Sequence, residues 1–180
     1  LNGQSQCQGC IRGKYIDVSG STSCKNCSIG TYVNTTSSSS IDDCKKCEKG
    51  RANSNTGQIS CDACQPSTYM DEMGKSICKS CIGGTYNDLT EQSACKICNK
   101  GYYCPSGAKY QVACPKGRYL NATGKASITH CMKCSVHTFN ALEGQSSCVE
   151  CKSGMYSTFS GQTRCFNCSK GFYCHGNTFQ

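Results

Sequence analysis

The chain has no tryptophan, only three prolines in 180 residues, and no run of 18 apolar residues. The last absence excludes a membrane-spanning helix in this segment. Leucine, isoleucine, valine and phenylalanine together number 23, about 13%, a level at which an unlinked chain stays disordered. A large oily core is therefore excluded, and so is a fold that depends on one. Long helix-period patterns are absent. So are a Gly-rich phosphate loop, a GxSxG elbow, a Ser-His-Asp set and a DxDxDG-like calcium run. No signal peptide is visible. The chain opens at Leu1 rather than Met, which reads as a removed leader or an excerpt.

What the chain has instead is cysteine, 21 of 180 residues. That density belongs to secreted scaffolds in which disulfides substitute for burial. Four N-glycosylation sequons agree with an extracellular or cell-surface location, at Asn26, Asn34, Asn121 and Asn167. Asn34 and Asn121 are the stronger pair, because Cys27 and Cys168 stand inside the other two sequons. The net charge of +8 comes from 19 basic and 11 acidic residues scattered along the chain. A nucleic-acid binder clusters such charge on one face, so no nucleic acid is expected. The charges read as solvated, with weak attraction to acidic glycans or membrane surfaces as the lesser alternative.

CxxC pairs begin at Cys7, Cys24, Cys44, Cys61, Cys78, Cys95, Cys131, Cys148 and Cys165, mostly 17 residues apart. Between Cys95 and Cys131 the pattern changes. Cys104 and a lone Cys114 appear there, and Gln111 stands where a pair would begin. A glycine follows most pairs by three positions, with Ser67 and His137 as exceptions. An aromatic follows two positions later, with Ala52 as the exception. A second glycine lies four residues before the next pair in six units. Each unit thus reads C-x2-C-x2-G-x-Y-x4-G-x3. Glycine allows positive φ or close approach, the aromatic packs on a neighbour, and the second glycine turns the chain back. One such unit cannot bury its own aromatic, so units must stack. The expected fold is small and disulfide-rich: an elongated rod of stacked ~17-residue units with short β-hairpins and turns, and little or no helix. The organisation reads as tandem repeats over 1–98 with an incomplete first unit, an interrupted unit over 99–113, further repeats over 114–174, and the start of an unfinished unit at 175–180.

The spacing C-x2-C-x13-C-x2-C comes close to a zinc ribbon. An uninterrupted ladder, in which each pair could belong to either neighbour, suits disulfides better, and no metal or other cofactor is expected. Redox catalysis by CxxC needs a βαβ context that is missing here. Sequence alone cannot dictate connectivity, but parity suggests that the second cysteine of each pair bonds the first of the next. That gives Cys10–Cys24, Cys27–Cys44, Cys47–Cys61, Cys64–Cys78, Cys81–Cys95, Cys114–Cys131, Cys134–Cys148 and Cys151–Cys165. Cys98–Cys104 and Cys168–Cys174 then close small loops, and Cys7 is left for an earlier unit. A crossed arrangement around Cys98, Cys104 and Cys114 is the rival.

The stretches CPKGRYLNATG, CIGGTYNDLTEQSAC and CNKGYYCPSG resemble the ephrin-receptor-like cysteine-rich repeats. These are relatives in style of the tumour-necrosis-factor-receptor and growth-factor-receptor modules. The resemblance implies extracellular, disulfide-bonded, non-catalytic modules of large surface or matrix proteins, and it implies no single ligand.

Candidates for chemistry are few. His130, His137 and His175 fall in different units and read as surface or turn residues. Asp42 with Asp43, and Asp71 with Glu72, are neighbours in extended chain and point to opposite faces, so they read as solvated charges. The recurring aromatics read as inter-unit packing, or as an exposed aromatic stripe for a partner. Two functions remain open. One is a non-enzymatic extracellular structural rod that associates head-to-tail with itself or with further repeats of a longer chain. The other is a receptor ectodomain fragment binding a protein ligand through Thr35–Asp43, expected to be a flexible loop, or through Tyr102–Gln111.

Overall fold

A computed structural model of the chain describes residues 7–175 and 178–179. Of the expected start of a further unit at 175–180, residues 176, 177 and 180 fall outside them. Among the described residues there is no α-helix. There are ten two-stranded antiparallel hairpins, each strand two residues long. In chain order they pair Lys14–Tyr15 with Lys25–Asn26 (hairpin 1), Thr31–Tyr32 with Lys45–Lys46 (2), and Arg51–Ala52 with Asp62–Ala63 (3). Thr68–Tyr69 with Lys79–Ser80 (4), Thr85–Tyr86 with Lys96–Ile97 (5) and Tyr102–Tyr103 with Val112–Ala113 (6) follow. Arg118–Tyr119 with Met132–Lys133 (7), Thr138–Phe139 with Val149–Glu150 (8), Met155–Tyr156 with Phe166–Asn167 (9) and Cys174–His175 with Thr178–Phe179 (10) complete the series. In hairpins 1–5 and 7–9 the returning strand is the dipeptide inside a CxxC pair, so the sulfurs stand at both of its ends.

Each hairpin begins with a tight turn. In the first, the Lys14 N–H donates to the Ile11 carbonyl, with Gly13 third in the turn at φ 83°. Position three of such a turn requires positive φ. Ser67 and His137 hold it at 70° and 63° without glycine, so the turn is retained where the glycine is lost. Thr31, Thr68, Thr85 and Thr138 brace their turns by donating Oγ1 to the carbonyl three residues back.

Two compact units divide the chain: 1–80 with 89–95, and 81–88 with 96–180. Within each, a hairpin joins the next through the same three backbone bonds. In the first unit, Gly13 N–H donates to Val33 O (2.8 Å), Ile16 N–H to Ser38 O (3.1 Å) and Ser37 N–H to Cys10 O (2.7 Å). Hairpins 2 and 3 repeat this set with Gly30 to Asn53, Val33 to Gln58 and Gly57 to Cys27. The second unit repeats it with Gly101 to Leu120, Cys104 to Lys125 and Gly124 to Cys98. Packing also reaches two hairpins on. A Cβ on Gly13 would overlap the Gly57 carbonyl, and one on Gly117 would overlap the Gly161 carbonyl.

The buried residues form small local clusters. Cysteines supply many of them, with Cys27, Cys47, Cys81, Cys98, Cys104, Cys114 and Cys134 at zero exposure. The residue after each aromatic supplies most of the remainder: Val33, Asn53, Met70, Asn87, Cys104, Leu120, Asn140 and Ser157 are all buried. Tyr15 packs on Cys27 and Val33 of hairpin 2, and Tyr103 on Leu120 and Cys114 of hairpin 7. These two aromatics therefore pack between hairpins, whereas Tyr156 meets Phe166 of its own hairpin and Tyr173 is exposed.

Candidate interaction surface

The staples set the frame. The structure joins Cys10 to Cys24, Cys27 to Cys44, Cys47 to Cys61 and Cys64 to Cys78. It also joins Cys114 to Cys131, Cys134 to Cys148 and Cys151 to Cys165. Cys81 and Cys95 are disulfide-bonded as well, and Cys7 is a free, exposed thiol. The small loops are closed by Cys98–Cys104 and Cys168–Cys174. In hairpin 6, Cys104 takes the buried place after the aromatic, so Cys98 finds its partner inside its own limb. Gln111 stands at the vacated cysteine position and its Oε1 accepts the Asn99 N–H at 3.2 Å.

The residues singled out for chemistry do not converge. His130 is exposed, with Nδ1 3.1 Å from the Ser127 carbonyl, and His137 occupies a turn. Asp42 and Asp43 belong to a 3-10 turn, Ile41–Asp43, closed by a capping box. Asp43 accepts from the Ser39 and Ser40 N–H groups, and Ser40 Oγ accepts from Asp42 N–H. The expected flexibility of Thr35–Asp43 is thus not what the structure shows. Ser37 donates to the Cys10 carbonyl and Ser38 is buried against hairpin 1. Asp71 and Glu72 both take hydrogen bonds from Lys79, at 2.7 and 3.0 Å, so they do share a face and a cation. Among the described residues no cluster of His, Cys, Asp and Glu could hold a metal ion.

Cross-strand pairs give the surface its character. Tyr15, Tyr32, Tyr69 and Tyr86 stand opposite Lys25, Lys45, Lys79 and Lys96. Three of those lysines are held by an aspartate two residues beyond the tyrosine: Lys25 by Asp17, Lys79 by Asp71 and Lys96 by Asp88, each at 2.7 Å. The hydrogen bond from the lysine holds each aspartate below its usual carboxylate value, and the reciprocal bond raises each lysine. From hairpin 6 onward the lysine is gone. Tyr103, Tyr119, Phe139 and Tyr156 face Val112, Met132, Val149 and Phe166, which are 37–54% exposed.

Charge divides the same way. The first unit has nine Lys and Arg against eight Asp and Glu, the second ten against three, so nearly all of the net +8 lies in the second. Every cation in an ion pair lies at or before Lys96. Among the described residues, Lys100, Lys109, Lys116, Arg118, Lys125, Lys133, Lys152, Arg164 and Lys170 have no carboxylate partner. Within this unit lies an open cavity of about 400 Å³, lined by Leu120, Ala122 and Met132 with Asn121, Lys125, Thr129 and His130. No carboxylate lines it. The Lys100 ammonium donates to Asn121 Oδ1 at its edge, at 3.2 Å.

Reading the scattered charge as uniform missed this asymmetry. The signal lay in the residue opposite the aromatic, which is Lys25, Lys45, Lys79 and Lys96 in four early hairpins and Val112, Met132, Val149 and Phe166 from hairpin 6 onward. The four sequon asparagines are all exposed. No helix of the described residues is long and apolar enough to cross a membrane.

These features define a class of protein, an extracellular-type array of disulfide-stapled hairpin repeats. Comparison with protein families finds one match, over the start of the chain. Residues 2–44, which include the first two staples, match the family described as tyrosine-protein kinase ephrin type A/B receptor-like. The ephrin-receptor-like resemblance is therefore shown over that stretch, and its disulfide hairpin recurs beyond it. No curated protein matches the chain.

Proposed function

We propose that the chain is a non-enzymatic, glycosylated structural segment of a larger surface or matrix protein, a disulfide-stapled repeat rod that associates with copies of itself. The observation that carries this reading is the recurring set of three backbone hydrogen bonds between successive hairpins. Main-chain groups make these bonds, so the joint recurs with Val33, Asn53, Leu120 or Asn140 as the accepting residue, and the repeat extends without closing on a core. That property suits a spacer or a fibre subunit. Sedimentation velocity on native, non-reduced, still-glycosylated protein tests self-association. A series of growing species with concentration is the expected result. One asymmetric monomer at all concentrations removes the self-association and leaves a spacer.

The glycans belong to the same proposal. Asn34 and Asn121 follow strand ends on exposed chain, whereas Asn26 and Asn167 precede the bonded cysteines Cys27 and Cys168. Glycosidase treatment followed by peptide mass spectrometry is expected to find conversion to aspartate at Asn34 and Asn121, and little at Asn26 and Asn167.

A second reading, a ligand-binding ectodomain, is favoured by one observation. Exposed apolar cross-strand residues, and cations that outnumber carboxylates ten to three, gather in the second unit.

A further inference from the structure

Hairpins 2 and 7 are built on one frame. Both staples span 17 residues, Cys27–Cys44 and Cys114–Cys131. Both hairpins carry a 3-10 turn capped by serine, Ile41–Asp43 after Ser40 and Ile128–His130 after Ser127. The same distance beyond the first cysteine brings Val33 to Leu120, Asn34 to Asn121 and Thr35 to Ala122. The side chains then part company. Where hairpin 2 has Ser38, Asp42, Asp43 and Lys45, hairpin 7 has Lys125, Thr129, His130 and Met132. In hairpin 2, Ser38 is buried beside Thr35 Oγ1 and the two aspartates cap the turn. In hairpin 7 the same place holds the apolar-lined cavity, with Lys125 among its lining and Lys100 at its edge. One backbone thus carries an acidic, filled version and a basic, open version.

The surroundings keep the charge uncompensated. Arg118 and Lys133 stand directly opposite across hairpin 7, a like-charge pair that disfavours the hairpin itself. Arg118 donates to the Cys131 carbonyl at 2.7 Å, a carbonyl and not a carboxylate. The acids of the second unit are Asp88, already on Lys96, and Glu143 and Glu150. A partner for this face must therefore bring negative charge and an apolar group together. A sulfated polysaccharide brings the first without the second, and a second copy of this chain carries a net charge of +8 that opposes its approach to a basic face.

We propose that hairpin 7 is a docking site for an acidic polypeptide segment, which inserts one aromatic or large aliphatic side chain between Leu120, Ala122 and Met132 while its carboxylates meet Lys100 and Lys125. Charge complementarity steers the encounter, and the buried side chain supplies specificity. The proposal does not rest on self-assembly.

The test is fluorescence anisotropy with three probes at low and near-physiological salt: a short acidic peptide with a central phenylalanine, the same peptide with serine there, and heparin. The full chain is used, with its glycans and after their enzymatic removal. The phenylalanine peptide is expected to bind about tenfold tighter than the serine peptide, roughly 1.4 kcal/mol, with affinity falling as salt rises. Met132→Lys installs the residue that hairpin 2 tolerates, so folding is retained, and it is expected to erase the phenylalanine preference. Lys125→Glu is expected to weaken both peptides several-fold, and Lys46→Glu in hairpin 2 to change nothing. Equal binding of both peptides alongside tight heparin binding overturns the proposal in favour of a general polyanion surface. Peptide binding that disappears as the chain self-associates makes a second copy the occupant and also overturns it. Binding confined to the deglycosylated chain overturns it in favour of the Asn121 glycan covering the cavity, and no peptide binding overturns it outright.

Discussion

Asn53, Asn140 and Ser157 each occupy the buried place after the aromatic position, and each donates back to the preceding hairpin. Asn53 Nδ2 reaches the Thr31 carbonyl at 3.0 Å, Asn140 Nδ2 the Arg118 carbonyl at 2.9 Å, and Ser157 Oγ the Thr138 carbonyl at 3.3 Å. No buried side-chain polar atom among the described residues lacks a partner. The buried place after the aromatic position is thus filled in two ways: by apolar Val33, Met70 and Leu120, or by an amide or hydroxyl that meets a strand carbonyl. Asn140→Ala removes the donor to the Arg118 carbonyl, and a buried group left unsatisfied costs roughly 1–3 kcal/mol. Faster amide exchange at Gly117, whose N–H donates to the Asn140 carbonyl, is the expected readout. Unchanged exchange there would falsify the amide's role. The turn residues give a sign test. A side-chain-bearing residue at positive φ costs roughly 1–2 kcal/mol against glycine, so His137→Gly is expected to slow exchange in hairpin 8. Gly117→Ala is expected to accelerate it, because strain is joined there by overlap with the Gly161 carbonyl.

At the scale of the hairpin, much was legible from spacing. Short hairpins in each unit and positive φ at the first glycine follow from residues recurring at fixed distance; that the dipeptide inside CxxC forms the returning strand was not read. The second turn was legible only in part. Counting back from the next cysteine finds six glycines. The structure shows Ser37, Glu91, Gly107 and Gly124 in the same role, each donating to the carbonyl of a cysteine one hairpin back. Ser37 and Gly124 were hidden because the 3-10 turns at Ile41–Asp43 and Ile128–His130 lie between them and the next cysteine. Ser37 and Glu91 were hidden again because the backbone, and not the residue type, dictates their positive φ of 58° and 61°. The cavity of hairpin 7 was not legible, because it depends on how an inserted turn meets a buried leucine. Surface charge makes a weaker staple than sulfur. The pairs of Asp17, Asp71 and Asp88 with lysine depress the carboxylates, so their contribution is present above the unfolded value near 3.8 and is lost as pH falls through the lower folded value. All three are exposed and screened. NMR titration is expected to give midpoints below 3.8 for these three at low salt, moving towards it in concentrated salt. Midpoints at 3.8 in low salt would remove the pairs from solution.

At the scale of the whole molecule, the question is how far damage to one hairpin spreads. Within each unit, backbone bonds join successive hairpins, and glycine contacts such as Gly13 with Gly57 and Gly117 with Gly161 reach the one after that. Nothing in the buried set forms a common core: its clusters are Tyr15 with Cys27 and Val33, and Cys114 with Leu120 and Cys131. A linear array with such contacts loses stability locally. Closing a loop of this length contributes roughly 3 kcal/mol in the chain-entropy model, which exceeds what the thin apolar packing of one hairpin supplies. Replacing both Cys114 and Cys131 by serine is therefore expected to open hairpin 7 and to raise amide exchange through hairpins 5 to 9. Gly13 and Cys27, in the first unit, are expected to keep their protection. Exchange mass spectrometry on the full, otherwise oxidised chain reads both regions at once. A loss of protection that spread evenly to Gly13 would mean a single cooperative body, and the repeat would then be a feature of sequence without being the unit of stability. Protection retained there makes each staple the guardian of its own neighbourhood, which is how a chain with 23 large aliphatic and phenylalanine residues in 180 sustains so long a run of ordered turns.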